Sequence, residues 1–489
     1  MAFIIVAAVL STMHFEGNVT ADGGDYVDVA FDVPVGTVEI QITHSDGSAN
    51  VILDWGVWSP EGYRGWAGGL TDDAIIGVEQ SSRSYLPGPI TPGTWTISIG
   101  KAKLENGVGH YSIDVVCRDN ATLPVLPKAP FTPVVLGNDR RWYAGDFHVH
   151  SIQSGDATAT FDEIRALAKS RGLDFVNLSD HNTFAQHALI AAIQPSEPAL
   201  LMLRGSEITT YSGHANSVGT NSYVEHRLGY AGRAVAGIVD DVAAQGGVLI
   251  VNHPALDLGS ECIGCVWNHV DDTPWGGVSA LELITGNFDI GIQVFVPRVI
   301  KLWDSLLDQD QHIAVVGGSD DHRAGMDTGP TSSSIGSPTT LVLADNLSEA
   351  AIVEAVRKGR TIVKLRNPDD PFVDMTIGDA EIGDVLEDTS SVTVKAHVVG
   401  GDGTFVQLWR NGVKLEQKAV SGNDTTVTFS DSTDTGAWRY RIELINDLNQ
   451  RLVVTSHIYV NTIGGCGCRS SSGGGWLIAL ALLFMRRGR

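Results

Sequence analysis

Five short apolar runs between residues 140 and 325 each end in a cluster of histidine and acidic residues. Residues 248–251, for example, lead directly into His253, and residues 313–316 lead through two glycines and a serine into residues 320–322. An uninterrupted apolar run is expected for a strand buried on both faces of a sheet. Because the carboxyl ends of barrel strands converge on one pocket, the pattern predicts that these clusters meet.

Helical patterns separate the apolar runs. Residues 160–163 have the sequence of a capping box, which predicts that a helix begins there and ends near Gly172. Further helices are expected over about 231–244, 297–307 and 348–358. The alternation of strand and helix over residues 140–365 predicts a parallel α/β barrel with some irregularity.

Each polar cluster consists of histidine and acidic side chains. These residues can bind a metal ion or hold a neighbouring metal ligand in place. His148 and His150 are two apart, so on a strand both imidazoles point to the same face. A single cluster of this kind is weak evidence, but five on successive strand ends indicate a metal site. In chain order the members are His148, His150 and Asp156; Asp180 and His181; Glu207 and His214; His253; and Asp320 and His322.

The order and spacing of these motifs resemble the PHP superfamily, the polymerase and histidinol phosphatase group of metal-dependent hydrolases. The resemblance covers about residues 140–365 and implies a distorted (β/α)7 barrel holding two or three divalent ions, commonly zinc, manganese or iron. Carried over residue by residue, it implies nine ligands: His148, His150, Asp156, His181, Glu207, His214, His253, Asp320 and His322.

Six imidazoles and three carboxylates exceed what one tetrahedral site can use, which predicts at least two metal ions. Glu207 or Asp320 could bridge two ions, and together with His253 they are the expected catalytic residues. Asp180 is expected to orient a ligand, and Arg323 either neutralises an anionic substrate or is an ordinary surface arginine. The expected reaction is attack by a metal-bound hydroxide.

The substrate class stays open between a phosphoester and a carbamate, ester or amide. The stretches 62–66 and 86–89 resemble the CehA/McbA-type branch of the superfamily, which includes aryl carbamate hydrolases. A barrel that only binds ligands at a surface is the third alternative. It is disfavoured because all nine ligand positions carry chemically competent residues.

Regions of alternating apolar and polar residues flank the predicted barrel. Residues 15–135 predict a β-sandwich, and residues 366–462 predict an immunoglobulin-like β module with a hairpin turn at Asn411-Gly412. The tryptophan-rich residues 54–66 are interpreted as domain-interface packing, with a binding lip as the alternative.

The net charge of −24 argues against nucleic acid as a partner. Cys262 and Cys265 form either a local disulfide or an accessory metal clip, and a structural role is favoured.

Both ends of the chain have the composition of targeting segments. Residues 1–14 are apolar, like the core of a truncated or weak signal peptide. Residues 463–489 contain Cys466 and Cys468, a Ser/Gly spacer, ten apolar residues and a basic end, and resemble a MYXO-CTERM-type sorting tag. That resemblance implies export, recognition by sorting machinery and tethering at the cell surface.

Replacing both Cys466 and Cys468 with serine is expected to release the protein into the medium or leave it unprocessed, because the tag is processed at its cysteines. Immunoblots of the cell-surface and medium fractions measure the outcome. An unchanged location after the double replacement would show that the sorting-tag interpretation is wrong.

Overall fold

The structure, a computed structural model, describes residues 8–125, 129–259, 262–286, 291–326, 333–387, 389 and 391–462. The predicted sorting tag with Cys466 and Cys468, and residues 1–7 of the predicted leader, lie outside these ranges. Residues 9–14 of that leader belong to the first strand. Within the described ranges, no helix has the length and apolar character needed to cross a membrane.

The N-terminal region forms two four-stranded antiparallel sheets packed around one apolar core. Strands predicted from period-two alternation at residues 27–33 and 95–99 are present, because alternate side chains face this core. The sheets have the orders β1-β8-β3-β6 and β2-β7-β4-β5. Their strands are β1 (Val9–Thr20), β2 (Tyr26–Val33), β3 (Glu39–Ser45), β4 (Ile52–Ser59), β5 (Gly62–Trp66), β6 (Ala74–Gly77), β7 (Gly93–Lys103) and β8 (Val108–Arg118).

The central region alternates strands with helices. Helix α1 begins with the predicted capping box, in which Thr160 accepts from the backbone N–H of Glu163 and Glu163 reaches back to Thr160. The elements are β9 (Arg141–Val149), α1 (Phe161–Ser170), β10 (Phe175–Leu178), α2 (Gln186–Ile193), β11 (Leu201–Thr210), β12 (Gly213–Val218), α3 (Val235–Ala244), β13 (Val248–Val251), β14 (Ala280–Thr285), α4 (Val296–Leu307), β15 (Ala314–Gly318), β16 (Thr339–Ala344), α5 (Glu349–Arg357) and β17 (Thr361–Lys364). Short 3-10 turns occur at Gln194–Ser196, Tyr230–Gly232 and Trp275–Gly277, and a π turn at Gly291–Phe295.

The central strands form one mixed sheet in the order β15-β14-β13-β12-β11-β10-β9-β16-β17. Neighbours β9, β10 and β11 are parallel, as are β13, β14 and β15, but β12 is antiparallel to both of its neighbours. The expected parallel order is therefore wrong at β12, and also at β16, which pairs antiparallel with β9 and with β17. Only two residues connect β11 to β12, which is too short for the crossover that a parallel pair requires. A closed (β/α)7 barrel stays a prediction.

The ends of β9 and β15 lie side by side although they are distant in the strand order. The backbone N–H of Asp320 donates to the carbonyl of His148 at 2.8 Å, and that of His150 donates to the carbonyl of Asp321 at 3.0 Å. The buried carboxylate of Asp146 joins the same ends by accepting from the N–H groups of His148 and Ser319, each at 3.0 Å. Histidines at the end of β9 therefore face acidic residues after β15.

The C-terminal region continues the same large sheet, because β17 pairs with β26. A second sheet, β19-β18-β21-β24, packs on it around a shared apolar cluster. The predicted Asn411-Gly412 hairpin is confirmed, with both residues at positive φ between β22 and β23. The strands are β18 (Phe372–Ile377), β19 (Ala380–Glu381), β20 (Val385–Glu387), β21 (Ser391–Val399), β22 (Phe405–Arg410), β23 (Val413–Ala419), β24 (Asp424–Ser432), β25 (Gly436–Ile445), β26 (Arg451–Thr455) and β27 (Ile458–Thr462).

His44 is a polar exception in the N-terminal core. It occupies an inward position of β3, and its ring stacks on Trp55 with centroids 4.3 Å apart. Neither ring nitrogen makes a hydrogen bond within the described residues. Burial therefore lowers the pKa of His44 from 6.5 to about 4.

This buried imidazole is expected to make the N-terminal region sensitive to acid. Between pH 6.5 and pH 4 the unfolded chain binds a proton at His44 and the folded chain does not. Stability is therefore lost as the pH falls through this window, by up to about 3 kcal/mol. Denaturant unfolding at pH 7.5 and pH 5, followed by tryptophan fluorescence, measures the loss. His44→Phe should lose less stability over the same pH step than the wild type; an equal loss would contradict the assignment.

Candidate metal centre

The end of β9 supplies the two histidines that begin the centre. Both imidazoles are fully buried, and their Nε2 atoms lie 3.1 Å apart. The neighbouring strand β15 can pack closely against His148 because it has a glycine at this point. A Cβ at Gly318 would lie 2.3 Å from the Cβ of His148. The glycine that follows the apolar run of β15 therefore leaves room for a ligand.

Glu207, on β11, occupies the middle of the cluster. Its carboxylate is 1% exposed, and its two oxygens lie between five histidines from four places in the chain. Oε1 is 3.4 Å from His148 Nε2, 3.4 Å from His214 Nδ1 and 3.5 Å from His253 Nε2. Oε2 is 2.8 Å from His181 Nδ1 and 3.5 Å from His150 Nε2. With one oxygen toward each side, this carboxylate would be available to a cation bound on either side of it.

Asp320 closes the centre from β15. Its Oδ1 lies 3.0 Å from His150 Nε2 and 3.2 Å from His148 Nε2. This oxygen and Glu207 Oε2 are buried, and neither accepts a hydrogen bond of acceptable geometry from any residue that the structure describes. Buried carboxylate oxygens without donors are costly, and a bound cation would satisfy both.

A second group of ligand atoms lies at the mouth of the centre. The Nε2 atoms of His181 and His322 are 3.4 Å apart, and Asp156 Oδ2 is 3.3 Å from the first and 3.4 Å from the second. Asp156 has a 60% exposed side chain. The three residues follow three different strands. Of these, His181 and His322 also group with His150 as possible ligands of one ion.

Five of the six imidazoles have one ring nitrogen bonded to a partner outside the cluster and the other directed toward the centre. In His181, Nδ1 contacts both Thr209 and Glu207, and Nε2 faces Asp156 and His322. His214 Nε2 donates to the carbonyl of Ile263, and His253 Nδ1 donates to that of Cys265, both at 3.0 Å. His322 Nδ1 donates to the carbonyl of Asp320 at 2.8 Å. For the remaining two rings the outer partners are Glu282 with His148 and Ser154 with His150. In these five rings the arrangement fixes the tautomer and leaves a lone pair for a metal.

Cys262 and Cys265 form a disulfide, so neither supplies a thiolate to a metal. The bridge closes the loop that presents the carbonyls of Ile263 and Cys265 to two of the histidines. Gly264 lets this loop sit tightly on the β11–β12 hairpin, because a Cβ there would lie 2.2 Å from the carbonyl of Thr210. The favoured structural role therefore includes the orientation of His214 and His253.

Sequence analysis missed Glu282 on β14. This residue is 1% exposed, with Oε1 at 3.1 Å from His148 Nδ1, while Oε2 accepts from the backbone N–H of His253 at 2.8 Å. The only signal in the sequence is a charged residue within the apolar run 281–284, which by itself indicates a strand. Glu282 either orients His148 and His253 or is itself a metal ligand beside them, since the ligand atoms of these three residues lie within 4.8 Å of one another.

Two other predicted residues have different surroundings. Asp180 accepts from the backbone N–H of Ser151 at 2.6 Å and from its hydroxyl at 2.7 Å. Asp180 therefore holds Ser151, the residue that follows His150, and in this way would orient His150. Arg323 is exposed, and its backbone N–H donates to Asp321 at 2.8 Å. A role of Arg323 toward substrate stays a prediction.

Charges in the centre depend strongly on one another. Burial opposes charge, yet Asp320 and Glu207 raise the pKa of His148 well above its usual value, and these histidines hold the pKa of both carboxyls low. Burial, with His322 and His181 nearby, lowers the pKa of His150 to about 3. Without a cation the buried carboxylates draw a proton onto His148, and divalent cations would supply that positive charge instead.

A Ser–His–Asp array lies outside the metal cluster. Ser212 Oγ is 2.6 Å from His269 Nε2, and His269 Nδ1 is 3.2 Å from Asp272. The backbone N–H of Ser212 donates to Thr210 Oγ1, so it is not available to stabilise an oxyanion. Because Asn268 also donates to the carbonyl of Ser212, we interpret the array as a fastening of the β11–β12 hairpin.

No protein-family model matches the chain, and no curated protein matches it. Among solved structures, it is similar to a two-domain protein from Bacteroides vulgatus described as containing a predicted PHP-like metal-dependent phosphoesterase, with 17% identity, 68% of this chain and 100% of that chain covered, and a TM-score of 0.36. It is also similar to a β-glucuronidase from Bacteroides uniformis, with 9% identity, 91% and 75% covered, and a TM-score of 0.18. TM-scores this low do not establish a shared fold or function, and the function proposed below rests on this chain's own residues.

Opening the disulfide is expected to weaken metal binding. In Cys262→Ala/Cys265→Ala the loop loses its closure, and His214 and His253 lose fixed acceptors; partners of this kind typically change metal affinity about 10–100-fold. Competition with a coloured chelator measures the affinity. Cys117→Ala, a buried free cysteine in the N-terminal region, is the control and should bind metal as the wild type does. Equal affinity in all three proteins would contradict the role assigned to the loop.

Proposed function

We propose that this protein is a metal-dependent hydrolase of the PHP type, holding two or three divalent ions and acting on a phosphoester. The observation that carries the proposal is the position of Glu207 between five imidazoles from four parts of the chain. Three overlapping groups of ligand atoms, each within 4.8 Å, surround it: His150, His181 and His322; His148, His150, Glu207 and Asp320; and His148, His253 and Glu282.

The donor set fits zinc, manganese or iron, since imidazole nitrogens and carboxylate oxygens are their ordinary ligands. Overlap of the groups at His148 and His150 favours neighbouring ions over a single one. When bound, such ions lower the pKa of a coordinated water and polarise the substrate's oxygen. Close ion pairs are well suited to phosphoesters, because they stabilise the attacking and the leaving oxygen together.

In the proposed reaction the chain's own residues orient the imidazoles and balance the charge of the bound ions. Glu207 and Asp320 supply buried negative charge, and Glu282 and the disulfide loop hold imidazoles in one tautomer. Asp320, 28% exposed, and His322 lie on the open side of the cluster, where a substrate would enter. Removal of the buried groups should therefore reduce both metal content and turnover.

A carbamate, ester or amide is the second candidate substrate. An apolar cavity borders His253 and Glu282 and is lined by Leu256, Ile284 and Phe295, among others. The cavity has room for little more than one water-sized group, so it offers apolar contact to the edge of a substrate and is too small to enclose an aryl ring. The net charge of −24 also disfavours the approach of a multiply charged anion.

We also propose that the protein acts outside the cytoplasm. The tail sequence supports export and tethering, and a disulfide is more often found in an oxidising compartment. The substrate would then be a small molecule met at the cell surface.

Purified protein is expected to contain two or three transition metal ions per chain, and chelation should abolish hydrolysis. Glu207→Gln should lower metal content and reduce turnover more than about 100-fold, since even partners of ligands matter at the 10–100-fold level. Elemental analysis and assays on aryl phosphomonoester, phosphodiester, carbamate and ester substrates measure these outcomes. Absence of metal, without activation by added zinc, manganese or iron, would contradict the proposal and favour a binding protein.

The same prediction extends to the source of the new oxygen. A single turnover in ¹⁸O-labelled water, with enzyme in excess, should place the solvent label in the product. Ser212→Ala should also place the solvent label in the product, which tests the serine of the Ser212–His269–Asp272 array. Product oxygen derived from a protein side chain would refute direct attack by water.

A further inference from the structure

The loop between β6 and β7 of the N-terminal region reaches the rim of the metal centre. Ser84, which is fully buried and has a positive φ of 69°, donates its backbone N–H to Gln153 Oε1 at 3.0 Å and its hydroxyl to the carbonyl of Gln153 at 2.7 Å. Thr183 donates to the carbonyl of Ser84 at 3.0 Å. The N-terminal loop is thus attached to the segments that follow both β9 and β10.

The neighbouring residue, Arg83, donates hydrogen bonds to the backbone carbonyls on both sides of one candidate ligand. Its Nη1 donates to the carbonyl of Ala157 and its Nη2 to the carbonyl of Gly155, each at 3.0 Å. The residue between these two carbonyls is Asp156. Gly155 is itself pressed against the N-terminal region, since a Cβ there would lie 2.1 Å from the carbonyl of Ala67.

Asp156 needs such support more than the other candidate ligands do. Its side chain is 60% exposed, whereas the side chains of His148, His150 and Glu207 are essentially buried. Its segment is also tied to the central region by the N–H of Thr158, which donates to the carbonyl of His322 at 2.9 Å. On the other side of Asp156, the carbonyl of Gly155 is held by Arg83. A planar guanidinium with two parallel donors suits this task, because one group fixes two acceptors at once.

The N-terminal region is docked firmly enough to act as a fixed support. Tyr63 donates to the carbonyl of Asn182 at 2.6 Å, and its ring stacks on Tyr223 with centroids 3.8 Å apart. Arg227 of the central region donates to Ser98 at 3.0 Å. These contacts place the loop that carries Arg83 relative to β10 and to the mouth of the centre.

We propose that Arg83 is a positioning residue for the metal centre, through which the N-terminal β region completes the ion site formed by Asp156, His181 and His322. The inference rests on the proposed function and deepens it. Without Arg83, the segment that carries Asp156 loses both acceptor contacts, and the carboxylate no longer keeps its place 3.3 Å from His181 Nε2 and 3.4 Å from His322 Nε2. The remaining ligand groups lie deeper and depend on other supports.

The test compares the metal content of Arg83→Ala, Asp156→Ala and the double variant after dialysis against a weak chelator. We expect each single variant to lose the same one ion per chain, or to bind it about 10–100-fold more weakly. The double variant should lose no more than either single variant. Arg83→Lys, whose single nitrogen lacks the planar pair of donors that spans both carbonyls, should fall between the wild type and Arg83→Ala and also covers poor folding of the alanine variant.

Arg64→Ala is the matched control. Arg64 also donates to backbone carbonyls, those of Leu86, Gly88 and Pro89, but all three belong to the N-terminal region. Its removal should lower stability and leave the metal content unchanged. Full metal content in Arg83→Ala, or equal metal loss in Arg64→Ala, would overturn the inference while leaving the proposed function intact. A wild type without metal would overturn both.

Discussion

The structure depends on one buried carboxylate, that of Glu207, and on the five imidazoles that surround it. An ionised carboxylate removed from water is strongly destabilising unless charges and donors compensate it. Here the compensating groups come from β9, β12 and the segments after β9, β10 and β13. The centre can therefore exist only when these parts of the chain are brought to one point, which links metal binding to the folding of the central region.

Two of the candidate ligands lie in an unfavourable backbone conformation. His253 and Asp320 both have positive φ, of 29° and 57°, which is uncommon for residues other than glycine. Such conformations persist where the surroundings determine them, as the N–H contact of His253 with Glu282 and that of Asp320 with the carbonyl of His148 do here. The fold gives up local stability to aim these side chains inward.

The regions outside the central sheet also contribute to the centre. The tryptophan-rich stretch of the N-terminal region packs at an interface, as predicted, with Trp66 against His226 at 4.4 Å between centroids. The same interface carries the loop with Ser84 and Arg83 to the rim. The C-terminal region is continuous with the central sheet through β17 and β26, so the scaffold beneath the centre extends across the chain.

The sequence by itself determined which residues have metal chemistry and where they stand on strands and helices. The capping box of α1, the buried strand β13 and the positions of His148 and His150 at the end of β9 follow from local periodicity and could be predicted. Only the tertiary structure decided which distant groups support them. Glu282 meets His148 across 134 residues, Ile263 meets His214 across 49, and Arg83 meets Gly155 across 72. Such contacts depend on how the chain crosses itself, and the antiparallel β12 shows that local alternation does not fix that path.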